Sequence, residues 1–118
     1  ICSVELDRRA RYDAVNVLNT EGYIENLPRE AVVEVPAFCD GQGLHPIAVG
    51  ALPEVPAAYM RTQLSIQRTL TEAYRTRSKN LLLQALLLDP QVNSILEAEA
   101  LLDEMLELQA AFLPEFGD

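Results

Sequence analysis

The chain contains 118 residues, of which 49% are hydrophobic, so it is long enough to bury a core and is predicted to form a single domain over residues 1–118. Eighteen acidic and nine basic residues give a formal net charge of −9, which disfavours a phosphate backbone as a partner. No apolar run approaches the roughly 20 residues of a membrane span, and the first residues lack a signal-peptide pattern. We therefore expect a cytoplasmic protein that binds neither nucleic acid nor membranes, with Cys2 and Cys39 as free thiols.

The first part of the chain has the pattern of short β segments separated by turn residues. Residues 1–13 are predicted to form a short strand or a frayed helix, and residues 14–18 a strand. Residues 19–22 predict a turn, because Asn and Gly tolerate positive φ. Residues 23–27 then predict a second strand, which stops at Pro28.

The strongest β-branched run follows at residues 31–35 and predicts a further strand. Pro36 is expected to end the ladder of that strand or to mark a sheet edge. Residues 40–43 contain two glycines and predict a hairpin-like reversal, while residues 44–49 are interrupted by Pro46. The strands of this region are therefore expected to be short or irregular.

From Pro56 the apolar period changes to three or four residues and predicts a long amphipathic helix. This helix is expected to end near Ser78, which is a candidate cap for the next one. Residues 81–88 are apolar almost all round, so their helix should be buried on most sides. Ser94 begins the pattern of a capping box for a last helix, which should end near Pro114.

The last helix has an apolar stripe opposite an acidic face. The stripe consists of Leu101, Leu102, Met105, Leu108 and Phe112. Packing within the domain is the favoured use of this stripe, and packing against another chain is the alternative. The predicted fold class is therefore α+β, with short irregular antiparallel strands in the N-terminal half followed by about three helices packed as a helical layer.

Local chemistry does not assemble a complete catalytic constellation. Cys39, Asp40 and His45 lie close together, as in a metal site or a small metalloenzyme, but one Cys and one His do not complete a set of four ligands. His45 is better explained as a hydrogen-bonded packing or cleft residue. Glu25 and Glu34 have apolar neighbours, so either burial or outward-facing strand positions can explain them. No nucleophile elbow, phosphate loop or dinucleotide fingerprint occurs.

Three asparagines stand in this β-rich region, where side-chain amides oppose the local propensity and usually serve a turn or a polar ligand. Turn formation accounts for Asn19 and can account for Asn26. Asn16 is the least explained of the three.

Several motifs together resemble one enzyme family. They are NVLNTEGYIENLP at residues 16–28, VVEVP at 32–36, GLHPIAVGALP at 43–53 and ALLLDP at 85–90. In this order they resemble the C-terminal portion of glycoside hydrolase family 4. This family comprises NAD- and metal-dependent α-galactosidases, α-glucosidases, α-galacturonidases and 6-phospho-glycosidases, and the resemblance covers roughly residues 12–113.

The resemblance implies a redox elimination instead of hydrolysis by paired carboxylates. In such enzymes NAD takes hydride from sugar C3, a divalent metal such as manganese polarises the ketone, and a base removes the C2 proton before the aglycone leaves. The family's Rossmann domain, metal ligands and proposed tyrosine base precede the region that this chain matches. The resemblance thus implies catalytic, NAD and metal residues in the complete enzyme and none of them in this chain.

Asn16, Asn19 and His45 are the candidates for a substrate cleft or subunit contact that the resemblance implies. The leading hypothesis is a C-terminal segment of a family 4 glycosidase that is inactive alone, whether as a natural truncation, a gene remnant or a cleaved piece. The alternative is an interaction or oligomerisation module without enzymatic activity. We expect a homo-oligomer formed through exposed apolar helix and strand surface.

Overall fold

The computed structural model describes residues 10–117 and has an α+β architecture, which confirms the predicted fold class. Its strands are β1, Arg11–Leu18; β2, Val32–Asp40; and β3, Gly43–Pro46. They form one antiparallel sheet in the order β1-β2-β3. Its helices are α1, Glu54–Thr76; α2, Lys79–Leu88; and α3, Ile95–Leu108.

The chain divides into two compact units, Ile1–Ala58 and Tyr59–Asp118. The first contains the sheet, and the second contains α2, α3 and most of α1. The prediction of one domain over residues 1–118 stays a prediction. Among residues 10–117, none of the helices combines the length and the apolar character needed to cross a bilayer.

The sheet buries one of its two faces. Along β2, side chains alternate between buried and exposed positions, and Val33, Val35, Ala37 and Cys39 occupy the buried face. This period of two is the one that a pleated strand imposes on its side chains. Cys39 is therefore a buried free thiol, as predicted, whereas Cys2 and the prediction for residues 1–9 lie outside the described residues.

Pro36 does not end its strand, contrary to the prediction. β2 continues through it to Asp40, and Pro36 is in register with Ala14 of β1. The Pro36 carbonyl accepts a hydrogen bond from the Ile47 amide at 2.8 Å. Since the N and C=O of one strand residue point to the same side, the missing N–H of Pro36 faces away from β1 and removes no bond between β1 and β2.

Residues 23–27 do not form the predicted strand. They lie in bends and turns, with one isolated parallel bridge between Ile24 and Gly50. Two backbone bonds extend this bridge, from the Glu25 amide to the Gly50 carbonyl at 3.1 Å and from the Val49 amide to the Tyr23 carbonyl at 2.8 Å. β3 is as short as expected, but β1 and β2 are longer, with 8 and 9 residues.

The long helix and both predicted caps are confirmed. α1 begins at Glu54, so Pro56 lies in its first turn, where the missing N–H removes no helical bond. Ser78 caps α2 by accepting from the Leu81 amide at 3.2 Å. Ser94 caps α3 by accepting from the Glu97 amide at 3.3 Å.

Helix α2 is less buried than its sequence predicts. Only Ala85 is fully buried, while Leu87 and Leu88 are 39% and 42% exposed. α2 packs against α3, and one helical neighbour covers one side of a helix that is apolar all round. The prediction of burial on most sides is therefore wrong for the described chain.

The apolar stripe of α3 is also mostly exposed. Leu102 is buried, but Leu108 and Phe112 are 70% and 88% exposed. α3 ends at Leu108, so Phe112 lies beyond it in a turn. The favoured prediction that the stripe packs within the domain holds for Leu102 and fails for Leu101, Met105, Leu108 and Phe112, which are each at least 41% exposed.

Candidate cleft wall and contact surface

Asn19 is the first residue of the loop between β1 and β2, and its side chain binds several backbone groups of that loop. It is fully buried in a 3-10 turn directly after β1. Its side-chain Oδ1 accepts from the Ile24 amide at 2.9 Å, and its Nδ2 donates to the carbonyls of Ile24, Leu27 and Pro28 at 2.8, 3.1 and 3.2 Å. The amide of Asn19 thus gives the loop the backbone partners that a strand would otherwise supply.

Gly22 completes this turn in a way that a larger residue would not. Its φ of 77° lies in the left-handed region, and its amide donates to the Asn19 carbonyl at 2.8 Å. A Cβ on Gly22 would overlap the guanidinium of Arg29, which covers the turn. The backbone conformation therefore favours glycine here, and a larger residue would also displace the Arg29 guanidinium.

Asn26 joins the loop to the segment before α1. Its Nδ2 donates to the Leu52 carbonyl at 2.8 Å, and its Oδ1 accepts from the Leu52 amide at 2.9 Å. The Asn26 side chain thus binds both backbone groups of Leu52, as a neighbouring strand would, although Leu52 lies 26 positions later in the sequence. Sequence reasoning assigned Asn26 to turn formation and missed this role, since nothing near Asn26 identifies Leu52 as a partner.

The exposed face of the sheet contains Asn16 and His45. Asn16 is exposed on β1 and in register with Glu34, which is also exposed. His45 on β3 is in register with Phe38 of β2. Since facing residues in an antiparallel pair share a face, the sheet brings Asn16 and His45 onto the same surface and directs Asn19 into the loop.

Apolar side chains occupy both ends of this exposed face. At one end Tyr12 packs edge to face on Phe38, with ring centroids 5.4 Å apart, and the two residues are 64% and 49% exposed. At the other end Leu18 is in register with Val32, and both are more than half exposed. We call these four residues the sheet-face patch. Exposed apolar side chains grouped in this way are typical of contact surfaces.

His45 is held by Asp40. Its Nε2 lies 3.0 Å from Asp40 Oδ1, which also accepts from the Gln42 amide at 2.8 Å. The His45 hydrogen bond, followed by that of the Gln42 amide, holds the pKa of the Asp40 carboxyl below its ordinary value. His45 is thus a hydrogen-bonded residue at the edge of an exposed surface, as one of the sequence alternatives expected.

The sheet separates the cysteine and the histidine considered for a metal site. Cys39 points to the buried face, whereas His45 shares the opposite face with Phe38. One metal ion cannot bind both side chains across a strand. Among residues 10–117, no three His, Cys, Asp or Glu side chains come together as metal ligands, so the described residues do not fit the metal of the resembled family. Glu25 and Glu34 are both exposed, which favours the outward-facing explanation.

A groove of about 310 Å³ lies in the helical unit, between α2 and α3. Its lining residues are Lys79, Asn80, Leu83, Glu99, Leu102 and Asp103. Lys79 Nζ and Asp103 Oδ1 form an ion pair of 2.6 Å in this groove. Both side chains are well exposed, so the pair is screened by solvent and contributes little to stability.

The described residues define an α+β structural segment in which buried amides support the backbone and an exposed sheet face is available for contact. Residues 1–92 match the family model described as the family 4 glycosyl hydrolase C-terminal domain, and the chain belongs to this family. This finding confirms the resemblance drawn from the motifs.

Three similar proteins illustrate the relationship. An α-galactosidase of Bacillus subtilis is 39% identical over 104 residues, which are 86% of this chain and 24% of that protein. A solved 6-phospho-α-glucosidase from gut microorganisms, in complex with NAD and glucose-6-phosphate, gives a TM-score of 0.85 at 30% identity and covers 98% of this chain and 26% of its own. The 6-phospho-β-glucosidase of Thermotoga maritima was solved with manganese, NAD+ and glucose-6-phosphate. It gives a TM-score of 0.80 at 31% identity, and the match covers 92% of this chain and 27% of that chain. The chain therefore spans about a quarter of the length of these relatives.

Proposed function

We propose that this chain supplies the C-terminal structural part of a cytoplasmic NAD- and manganese-dependent glycosidase, and that the 118-residue polypeptide alone has no glycosidase activity. The observation that carries the proposal is the difference between the two coverages in the alignment with the solved 6-phospho-α-glucosidase. Nearly the whole chain aligns with that enzyme, but on only about a quarter of its length. The NAD and manganese in the related structures belong to proteins about four times as long as the aligned region.

The described contacts support a structural role for the family motif at residues 16–28. The side chain of Asn19 and the backbone of Gly22 serve the loop itself, and the side chain of Asn26 joins this loop to Leu52. Asn16 and His45 remain on the exposed sheet face, where a neighbouring surface can reach them. We propose that these two residues, and not the buried amide of Asn19, contact the cleft or a subunit surface in the assembled enzyme.

A split-enzyme assay tests the proposal. The purified chain is mixed with the Bacillus subtilis α-galactosidase shortened by the region that aligns with this chain, in the presence of NAD and Mn²⁺. Release of nitrophenol from nitrophenyl α-galactoside is then measured. We expect no turnover from the chain alone and measurable turnover from the mixture. NAD-dependent turnover by the chain alone would contradict its proposed inactivity, and a mixture without binding or turnover would contradict the structural role.

Variants in the same assay separate contact from stability. Asn16→Ala and His45→Ala should lower the activity of the mixture while the thermal midpoint of the chain stays close to that of the parent. Gly41→Ala is the matched control, because Gly41 is exposed and a Cβ there meets no atom within 4 Å. Equal activity of all three variants and the parent would remove Asn16 and His45 as contact residues.

A second candidate function is a stand-alone oligomerisation module, and the sheet-face patch is the observation that favours it. The exposed Leu108 and Phe112 provide a second apolar surface in the helical unit. Burial of either surface in a homo-oligomer would contribute roughly 25 cal/mol for each Å² of apolar area removed from water.

Light scattering on the chain tests this second candidate. Phe38→Ser removes an apolar side chain from the sheet face, and Leu108→Ser does the same on the helical surface. The variant that lowers the measured mass identifies the surface that mediates association. A parent chain that stays monomeric at high concentration would eliminate the candidate.

A further inference from the structure

The break between α1 and α2 is short and contains neither glycine nor proline, although Ser78 caps α2. Only Arg77 and Ser78 separate Thr76 from Lys79. No glycine or proline occurs from residue 57 to residue 89, although these are the residues that normally end helices. Ser78 is a start signal for α2, but α1 ends without a residue that normally ends a helix, so the end of α1 needs another cause.

The backbone at the break adopts a conformation that usually selects glycine. Arg77 has a φ of 61°, and it is the one non-glycine residue with positive φ among residues 10–117. The Ser78 amide donates to the Ala73 carbonyl at 3.1 Å, which completes a Schellman motif with Arg77 in the left-handed position. A non-glycine residue persists in this region only when its surroundings hold it there.

The segment that follows α3 supplies part of these surroundings. In a continuous helix the Lys79 amide would donate to the Arg75 carbonyl, and the Arg77 carbonyl would accept from the Leu81 amide. Instead, the Lys79 amide donates to the Gly117 carbonyl at 2.8 Å, and the Gly117 amide donates to the Arg77 carbonyl at 2.8 Å. Gly117 thus satisfies one donor and one acceptor that the break would otherwise leave without a helical partner.

Aromatic contacts fix the same segment to the end of α1. Phe116 packs edge to face on Tyr74, with ring centroids 6.5 Å apart. The Arg77 guanidinium lies over the same Tyr74 ring, 4.8 Å from its centroid. The conformation of Arg77 and the position of Phe116 therefore depend on one shared side chain.

We infer that residues 113–117, which we call the clasp, hold α1 and α2 apart, and that release of the clasp lets Arg77 return to right-handed backbone so that the two helices join. Joining would restore the two helical bonds that Gly117 replaces and would relieve the left-handed arginine. It would also move the leucines of α2 relative to the end of α1. Anything that binds Phe116 in place of Tyr74 would then change the direction of α2.

Backbone NMR of the 118-residue chain and of a variant lacking residues 114–118 tests this inference. We expect the ¹³Cα shifts of Arg77 and Ser78 to move to helical values in the shortened chain. Arg77→Gly in the same shortened chain should keep the break, because glycine occupies the left-handed region without strain. An Arg77 that stays left-handed in the shortened chain would show that the break is independent of the clasp and would overturn the inference.

A point variant decides the question if the shortened chain unfolds. Phe116→Ala should move the Arg77 shift part of the way to its helical value and speed exchange of the Lys79 amide by about three- to tenfold, the loss expected for one aromatic pair. Phe112→Ala is the matched control, because Phe112 is 88% exposed. Equal Arg77 shifts in the two variants, or movement to random-coil values, would overturn the inference.

Discussion

Replacing Asn19 by alanine removes the four hydrogen bonds of its side chain at once, but some of the backbone groups involved keep another partner. The Ile24 carbonyl also accepts from the Leu27 amide at 3.4 Å, and the Pro28 carbonyl from the Ala31 amide at 3.2 Å. The Ile24 amide and the Leu27 carbonyl have no other partner among residues 10–117. The substitution therefore leaves one donor and one acceptor unsatisfied beside buried side chains.

The expected loss of stability follows from these two groups. An unsatisfied buried donor or acceptor costs about 1–3 kcal/mol, so two of them cost about 2–6 kcal/mol. Water can partly enter the space that the side chain leaves, so we expect Asn19→Ala to lower the free energy of unfolding by about 3–4 kcal/mol. Losses of this size are comparable to a large share of the total stability of a small domain.

Urea unfolding followed by NMR measures this loss separately in the two compact units. The Val35 amide reports on the sheet unit, and the Ala85 amide reports on the helical unit. We expect Asn19→Ala to lower the midpoint at Val35. Asn16→Ala is the matched control, because Asn16 is exposed and surface substitutions usually change stability by less than about 0.5 kcal/mol.

A loss at Val35 no larger for Asn19→Ala than for Asn16→Ala would refute the argument that Asn19 supports the loop. Asn19→Asp provides a further test. Its carboxylate can still accept from the Ile24 amide, but it faces three carbonyl oxygens where the amide donated. We expect this variant to be destabilised near neutral pH at least as much as the alanine variant, and less so as the pH falls and the carboxyl protonates.

Three further predictions concern other parts of the chain. Gly22→Ala should lower the unfolding free energy by about 1–3 kcal/mol, because alanine is strained at φ 77° and would displace Arg29, whereas Gly41→Ala should be neutral by the same urea assay. Ser94→Ala should cost about 1 kcal/mol at the helical unit through loss of the α3 cap, and an unchanged thermal midpoint would contradict that role. The lowered pKa of Asp40 means that its contribution to stability is present above pH 3.8 and is lost as the pH falls through its lower pKa in the folded chain. Stability measured from about pH 6 to about pH 3 should show this slope in the parent and a shallower slope in His45→Ala, because the Gln42 and Gly43 amides still lower the pKa of the Asp40 carboxyl.

Much of the fold could be predicted because local signals and tertiary structure agree over long segments. Residues 32–35 of the predicted β-branched strand lie in β2, and the apolar period that changes from Pro56 belongs to α1, which begins two residues earlier at Glu54. Ser78 and Ser94 are caps whose effect is complete within three residues. The predictions for residues 23–27 and Pro36 were wrong because β propensity describes a residue without its neighbours in space. The backbone groups of these residues bind residues 47–50, which are distant in sequence.

In the candidate site, the positions of Asn16 and Asn19 could be predicted from the sequence only in part. Asn16 and Asn19 are three positions apart and chemically identical, yet one is exposed on the sheet and the other is fully buried. Alternation along β1 already places odd-numbered positions on the side opposite Asn16. Because β1 ends at Leu18, the chain then turns, and the Asn19 side chain forms hydrogen bonds within its own loop. The period of the strand therefore predicts the side on which Asn19 lies, but it does not predict the loop carbonyls and the amide that its side chain binds. The hydrogen bonds of Asn19 therefore account for its place in the motif through the loop alone, and contact with another surface stays a proposal for Asn16 and His45.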